Sequence, residues 1–155
     1  MNADILSVLR HYPQIYFACH VDHTRARSNP HGLSSRDASI LAHLDREQPL
    51  HAGELARHLG LRPSTLSAAL AELERLGYVT RAPDARDRRV QQLRLSERGE
   101  AAMAASSVLD AERVRALLDR LSSDERQRAV DGLGLLARAA RAIGSVVDQD
   151  AAHDH

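Results

Sequence analysis

The chain has 155 residues, no lysine and one cysteine, and its 21 arginines balance 21 acidic residues to a net charge of zero. This length suits one compact domain with a substantial core. No apolar run approaches the roughly 20 residues of a membrane span, and the first residues lack the basic start and apolar core of a signal peptide. We therefore expect a cytoplasmic protein without an internal disulfide.

Arginine is unevenly distributed along this neutral chain. Residues 56–98 hold nine arginines against five acidic residues, and the stretch RAPDARDRR (81–89) alone holds four of them. A local basic patch indicates an anionic partner that meets one face of the protein. The alternative is that arginine replaces lysine as an ordinary solvated surface residue.

The first segment is predicted to be helical. Phe and Tyr supply only four aromatic rings, so the core must be built from Leu, Ala, Val and Ile, which is typical of packed helices. We predict a helix over residues 13–27, with Pro13 in its first turn and residues 4–10 as a separate short turn. The sequence SNPHG (28–32) then breaks the helix.

Three shorter helices follow. Ser34 is a candidate N-cap, with Asp37 three residues further on. HAGELARHLG (51–60) forms the next helix and is closed by Gly60, which suits a left-handed C-cap. PSTLSAALAELERLG (63–77) has leucines at helical spacing. The last two helices, separated by a tight turn, are the sequence outline of a helix-turn-helix.

The hydrophobic period then changes from about 3.6 to 2. GYVTRA (77–82) and RVQQLRLS (89–96) read as strands, with Tyr78, Val79, Val90, Leu93 and Leu95 as candidates for their buried side. The polar segment PDARDR between them is turn-forming, so the two strands predict a β-hairpin, or wing.

The rest of the chain is rich in Ala, Leu and Arg. We predict a long helix from Ser96 onward, broken near residues 121–125, where Ser122 or Ser123 caps the next helix. Residues 148–155 are expected to be a disordered tail.

Residues 50–99, LHAGELARHLGLRPSTLSAALAELERLGYVTRAPDARDRRVQQLRLSERG, resemble the DNA-binding half of the MarR family of winged helix-turn-helix regulators. The order of two short helices, a Gly-Tyr-Val strand, a wing rich in Asp and Arg and an LRLSERG strand carries this resemblance. It implies one MarR-like chain, mostly α with a small β-hairpin wing. The winged helix-turn-helix would occupy residues 33–98, and a helical dimerisation region residues 4–28 and 99–147.

A two-fold homodimer is expected on two grounds. The resemblance implies it, and the helices at both ends carry more apolar surface than one small winged domain can cover. The alternative is a monomer with an internal three-helix core.

The wing has charge suited to DNA. The minor groove, about 6 Å wide, concentrates negative potential and admits slender cations, so we predict Arg86 at the wing tip. The family's pattern of Asp, one residue and Arg matches Asp84-Ala85-Arg86 and recurs at residues 87–89. The resemblance implies that the aspartates hold the arginines or brace the wing. A solvated turn neutralised by its own aspartates is the alternative.

The helix over residues 63–76 is the candidate reader of the major groove. If its leucines face the core, a rotation of 100° per residue places small side chains outward in its first two turns. Arg62 stands at the N-cap position, where a DNA phosphate, or instead water or Ser64, would satisfy the free amides. The predicted DNA-contacting residues are Arg62, Ser64, Thr65, Ser67, Ala68, Arg75, Arg81, Arg86, Arg88 and Arg89.

The first helix is the candidate sensor. It concentrates three of the four aromatic residues beside histidines, and stacking surfaces with polar anchors are expected of a small-molecule pocket. The resemblance implies such a pocket for small aromatic or anionic compounds. The predicted effector-binding residues are Tyr12, Tyr16, Phe17, His20, His23 and His43.

Two other sensing modes stay open. Cys19 is a redox candidate, because one branch of the family senses peroxides through an N-terminal cysteine, although that branch has tyrosines on the next helix that are missing here. Cys19 with His23, or His51 with Glu54 and His58, share helical faces but give too few ligands for a metal site.

The sequence therefore predicts a ligand-released repressor that binds double-stranded, inverted-repeat DNA as a homodimer. No glycine-rich phosphate loop or nucleophile elbow stands in the sequence, so we expect neither an enzyme nor a cofactor. An architectural DNA-binding protein is the remaining alternative.

Overall fold

The computed structural model describes residues 1–21 and 30–151, with side chains up to residue 143. The mostly α fold with a small β-sheet, predicted from the sequence, is confirmed. In chain order the elements are α1 (Ala3–Cys19), α2 (Ser35–Ala42), β1 (Leu50–His51), α3 (Ala52–Leu59), α4 (Pro63–Arg75), β2 (Val79–Pro83), β3 (Gln91–Leu95), α5 (Glu97–Ser106), α6 (Ala111–Leu118) and α7 (Ser123–Ala151). No helix in the described ranges is long and apolar enough to cross a membrane.

The chain divides into two compact units. The first consists of Met1–Ser28 and Ser107–Asp131, and the second of Asn29–Ser106 and Gly132–His155. The boundaries 33–98 and 99–147 given above for the two functional regions stay a prediction.

Helix α1 differs from its prediction. It begins at Ala3, where the side chain of Asn2 caps it, and continues through Pro13 to Cys19. The expected helix start at residue 13, after a separate turn, is therefore wrong. Pro13 removes one backbone donor, but the capped and otherwise regular helix continues around that loss. The predicted end at residue 27 lies outside the described residues.

In the first unit α1 packs against α6. The single long helix predicted after Ser96 is wrong, because the chain leaves helical geometry between α5 and α6. There the amide of Asp110 donates to the carbonyl of Cys19 (2.8 Å), and the amide of Val21 donates to that of Val108 (3.0 Å). These backbone bonds to the end of α1 replace helical bonds in the interruption. Asp110 also caps α6 through its side chain.

The core of the second unit is built from α2 to α5 and the sheet. The caps predicted from the sequence are confirmed: Ser34 accepts the amide of Asp37 (3.1 Å), and Gly60 closes α3 in the left-handed region (φ 59°). Apolar side chains from each of these helices and from the hairpin meet in one buried cluster. Its members are Ile40, Leu41, Leu44, Leu55, Ala56, Leu66, Ala69, Leu70, Leu73, Tyr78, Val79, Leu93, Leu95 and Ala102.

The sheet has the order β1-β3-β2, and both pairings are antiparallel. The predicted hairpin is confirmed, with Val79 opposite Leu95. Its expected inner residues are buried except Val90, which is only half-buried. Strand β1, which pairs His51 with Gln92, was not predicted, since two residues are too short to show an alternating pattern.

Helix α7 begins at the predicted cap. Ser122 accepts the amide of Glu125 (3.3 Å), and the Glu125 carboxylate accepts the amide of Ser122 (2.9 Å). This reciprocal pair is a capping box. The helix includes residues 148–151 of the predicted tail, and residues 152–155 lie outside the described part.

Candidate nucleic-acid interface

Helix α4 presents a face of small side chains. Pro63 occupies its first turn, and Leu66, Leu70 and Leu73 are buried beneath it. Of the predicted contact residues on this helix, Ser64, Ser67, Ala68 and Arg75 are exposed and Thr65 is half-buried. This is the arrangement that the helical period predicts, and it allows the backbone of the helix to approach the edges of bases closely.

The amino-terminal end of α4 has no side-chain cap. Arg62 occupies the N-cap position in an extended conformation (φ −63°, ψ 141°), and its side chain makes no capping bond. Free amides at a helix N-terminus favour an anion, and the exposed Arg62 adds positive charge beside them. That a DNA phosphate, or instead water or Ser64, satisfies these amides stays a prediction.

Arg75 is engaged by a neighbour on its own helix. Its Nε and Nη2 lie 2.8 and 2.6 Å from the two carboxylate oxygens of Glu72, in a bidentate pair. These bonds hold the pKa of the Glu72 carboxyl below its usual value. Both side chains are exposed. For Arg75 to contact DNA, its guanidinium must either separate from the Glu72 carboxylate or approach the DNA together with that negative charge.

The turn of the wing is organised around the Asp84 carboxylate. Oδ1 accepts the backbone amides of Arg86 (2.7 Å) and Asp87 (3.3 Å). Oδ2 lies 2.8 Å from Nε2 of Gln92 and 3.2 Å from Nε2 of His51. The bond from the Arg86 amide, followed by that from Gln92, lowers the pKa of Asp84 to about 2. The carboxylate is therefore ionised, accepts all four bonds and braces the wing.

The four predicted wing arginines have different surroundings. The exposed guanidinium groups of Arg86 and Arg88 have no hydrogen-bond or ion-pair partner in the described part of the chain. Arg89 lies 3.2 Å from Asp87. Arg81, at the base of the hairpin, is half-buried with its Nε 3.4 Å from Glu74 of α4. Asp84 thus holds the backbone of Arg86 and leaves its charge free.

Sequence reasoning did not identify His51 and Gln92 as part of the wing. They are cross-strand partners in β1 and β3, and both side chains reach the same oxygen of Asp84. His51 is 33 positions before Asp84, so no local pattern signals their contact. The only local sign is that a histidine stands at the N-cap of α3.

The aromatic residues of α1 form a ladder along one face. Tyr12 stacks near Tyr16 with ring centroids 6.5 Å apart, and Tyr16 stacks near His20 at 5.4 Å. Phe17 meets the edges of Tyr16 and His20 and is 67% exposed. These four predicted effector-binding residues therefore lie together.

The other sensing candidates are not part of this ladder. His43 belongs to the second unit, where its ring lies 6.5 Å from that of His58, and His23 lies outside the described residues. Cys19 is 1% exposed at the end of α1.

Burial lowers the pKa of His58, although Glu54, 3.8 Å away, opposes that shift. Among the side chains of residues 1–21 and 30–143, no three metal-binding groups are placed together to hold a metal ion.

Comparison with known proteins agrees with this architecture. A model of the MarR family matches residues 31–90, whereas no curated protein matches the sequence. The fold is similar to that of the transcriptional regulator Tm0710 from Thermotoga maritima, with a TM-score of 0.53 and 24% identity over 89% of this chain and 94% of that one.

Two structures of S. aureus MepR are also similar. MepR bound to ethidium bromide has a TM-score of 0.51 and 18% identity, covering 90% of this chain and 96% of that one. MepR in complex with DNA has a TM-score of 0.50 and 18% identity, covering 90% and 98%. The segment that the MarR family model matches, residues 31–90, is the part of the chain that folds as the winged helix-turn-helix.

Proposed function

We propose that this protein is a cytoplasmic, homodimeric transcription regulator that binds inverted-repeat double-stranded DNA and represses until a small molecule releases it. The observation that carries the proposal is the combination, in one compact unit, of a helix with a small-residue outer face and a braced wing with free arginines. Helix α4 suits the major groove, and Arg86 on the wing suits the minor groove.

Charge supports DNA as the partner. The guanidinium groups of Arg62, Arg86 and Arg88 are exposed and make no ion pair within the described residues, although the chain as a whole is neutral. The unpaired Arg62 at the uncapped N-terminus of α4 favours phosphate oxygens, and the unpaired arginines of the wing add positive charge. The fold likeness to MepR, which has been solved in complex with DNA, agrees with this assignment.

Exposed apolar side chains support a homodimer. On α1 the exposed large apolar residues are Ile5, Leu6, Val8, Leu9, Tyr12, Ile15 and Phe17, and on α7 they are Val130, Leu133, Leu135, Leu136 and Ile143. Apolar residues in such number on two helices favour burial against a second copy. A two-fold dimer presents two copies of α4, which is why we propose an inverted repeat as the target.

A small aromatic or carboxylate compound is the proposed effector. The ladder of Tyr12, Tyr16 and His20 offers ring faces, and the half-buried Tyr16 and His20 add polar groups. Ligand binding there would favour a dimer whose reading helices are wrongly spaced, and a tenfold loss of DNA affinity needs only about 1.4 kcal/mol of coupling. Redox sensing through Cys19 is the alternative, and the burial of this thiol at the end of α1 argues against it.

The test is selection from a randomised pool of double-stranded DNA, followed by affinity measurements at several salt concentrations. We expect enrichment of one inverted repeat with half-sites centred about one helical turn apart, bound on the order of 1,000-fold or more tightly than random DNA. Equal affinity for random DNA would favour an architectural protein.

The dimer is tested by sedimentation. Leu133→Asp places a charge in the apolar face of α7 and is expected to give monomers and weaken operator binding. Gln127→Asp, at a polar exposed position of the same helix, is the control and should leave the dimer intact.

A further inference from the structure

We propose that His51 is a positioning residue for DNA binding: it fastens the wing turn to the amino-terminal end of α3 and so sets where Arg86 stands relative to α4. This inference rests on the proposed function, since the wing is taken to meet DNA. It adds a residue outside the wing that acts on DNA through the wing.

His51 does not perform the role expected of its position. It is the N-cap residue of α3, where Ser, Thr, Asp or Asn would bond to a free amide, yet its side chain makes no capping bond. Its Nε2 lies 3.2 Å from Oδ2 of Asp84 instead. Because the Asp84 carboxylate is ionised and can only accept, Nε2 is the donor. The side chain at the start of α3 is thus directed at the wing.

The two oxygens of Asp84 have separate tasks. Oδ1 holds the turn itself through the amides of Arg86 and Asp87. Oδ2 connects the turn to the sheet, through Gln92 on β3 and His51 on β1. Gln92 belongs to the same hairpin as the turn, so its bond cannot fix the hairpin against another element. Among the partners of Asp84 in the described residues, only His51 comes from outside the hairpin.

This bond links the two parts of the DNA-binding face. His51 leads directly into α3, which packs against α4 in the common core. The bond between Asp84 and His51 therefore attaches the wing turn to the helical core that contains α4. The Arg86 side chain is long and has no internal partner, so the place of its backbone determines which part of the minor groove it reaches. Without this bond the wing turn would be attached to α3 only through the pairing of β1 with β3, so the turn would shift and open more readily.

The experiment is a set of affinity measurements on the selected operator with wild type, His51→Ala, His51→Gln, Arg86→Ala and the double variant His51→Ala with Arg86→Ala. We expect His51→Ala to weaken binding about 3- to 10-fold, the effect of one net hydrogen bond. His51→Gln should recover most of the affinity, since its amide can donate to Asp84. The double variant should bind no more weakly than Arg86→Ala, because His51 acts through the wing.

Gln48→Ala, an exposed position in the loop before β1, is the control and should bind like wild type. Additive losses in the double variant, or no recovery with glutamine, would overturn the proposal in favour of direct contact of His51 with DNA or of a general structural effect. A His51→Ala variant that binds like wild type would overturn it as well.

Hydrogen exchange separates this proposal from the proposed function. The amides of Arg86 and Asp87 should exchange faster in His51→Ala than in wild type, whether or not DNA is present. If wild type selects no DNA, the proposed function fails. In that case faster exchange still supports the tie between His51 and the wing, and unchanged exchange overturns it.

Discussion

Gly99 of α5 lies directly against the backbone carbonyl of Tyr78, the residue that leads into the wing. A Cβ built on Gly99 would lie 1.9 Å from the Tyr78 oxygen and 3.1 Å from Cδ2 of Leu95. The same carbonyl accepts the amide of Ser96 (3.0 Å), so it cannot move away freely. The absence of a side chain at Gly99 therefore allows α5 to close over the hairpin.

We expect Gly99→Ala to destabilise the protein by at least about 1 to 3 kcal/mol, the usual cost of overpacking. Alanine ordinarily stabilises a helix interior by roughly 0.5 to 1 kcal/mol relative to glycine. A loss of stability in Gly99→Ala would therefore come from the steric clash and not from helix propensity. The measurement is denaturant unfolding at one fixed protein concentration. Gly132→Ala in α7, where nothing lies within 4 Å of the added Cβ, is the control and should be neutral or stabilising. Equal effects of the two substitutions would contradict this packing.

Arg86→Ala is expected to weaken operator binding by about 1 to 3 kcal/mol while leaving the dimer and its unfolding unchanged. Its guanidinium is exposed, has no partner in the described chain and takes no part in the core. Arg89→Ala is the comparison, because Arg89 is already paired with Asp87 at 3.2 Å and should contribute less. Fluorescence anisotropy with labelled operator at fixed salt measures both. Equal affinity of Arg86→Ala and wild type would remove Arg86 from the interface.

Much of the winged helix-turn-helix was predictable because its signals are local. Ser34 and Gly60 occupy standard capping positions, and the leucines of α4 repeat at helical spacing within one segment. The interruption between α5 and α6 was not predictable, since the amide of Asp110 bonds to the carbonyl of Cys19, which lies far earlier in the sequence. The bond from His51 to Asp84 was missed for the same reason. Contacts between distant segments leave no periodic pattern in either one.

Acid should loosen the wing within a defined pH range. Asp84 has an ordinary pKa of 3.8 that its hydrogen bonds lower to about 2, with the amide of Arg86 as the largest cause. A carboxyl whose folded-state pKa is lowered stabilises the fold fully above its ordinary pKa, and this contribution is lost as pH falls through the lowered value. We therefore expect the effect between about pH 4 and pH 2.

Two measurements check this expectation. Titration of the Asp84 carboxyl carbon by NMR should give a pKa near 2. The protection of the Arg86 amide against exchange, relative to its intrinsic rate at each pH, should fall as the group is protonated. Asp84→Ala should show fast exchange at that amide and lose this pH dependence. An Asp84 that titrates near its ordinary value would mean that the four bonds are not made in solution.

His58 should make the second unit sensitive to mild acid. Burial lowers its pKa from 6.5; the positive charges of His43, Arg141 and Arg57 act in the same direction, and Glu54 acts against them. A histidine with a lowered folded-state pKa contributes stability above its ordinary pKa, and that stability is lost as pH falls through the lowered value. The free energy of unfolding of wild type should therefore fall as the pH is lowered below the ordinary histidine pKa of 6.5. His58→Gln, which does not titrate, should show a smaller fall, and an identical fall would assign the sensitivity to other groups.

Cys19 is expected to react slowly in the folded protein. Its side chain is 1% exposed, and oxidation or labelling of a cysteine requires access to the thiolate. Labelling with a disulfide reagent should be on the order of 100-fold slower in the native protein than in denaturant, because it must wait for local opening. Fast native labelling would show that the thiol is reachable and would favour redox sensing.

The same residue separates the two candidate effectors. If a small aromatic acid binds the ladder of Tyr12, Tyr16 and His20, Cys19→Ser should still release operator DNA when such a compound, for example 4-hydroxybenzoate or another member of a panel, is added. Tyr16→Ala should lose that release, because it removes the central ring of the ladder, and it should keep its DNA affinity without ligand. Anisotropy titrations with each acid and with hydrogen peroxide measure both responses. Release that requires peroxide and disappears in Cys19→Ser would refute the ligand proposal and establish the thiol as the sensor.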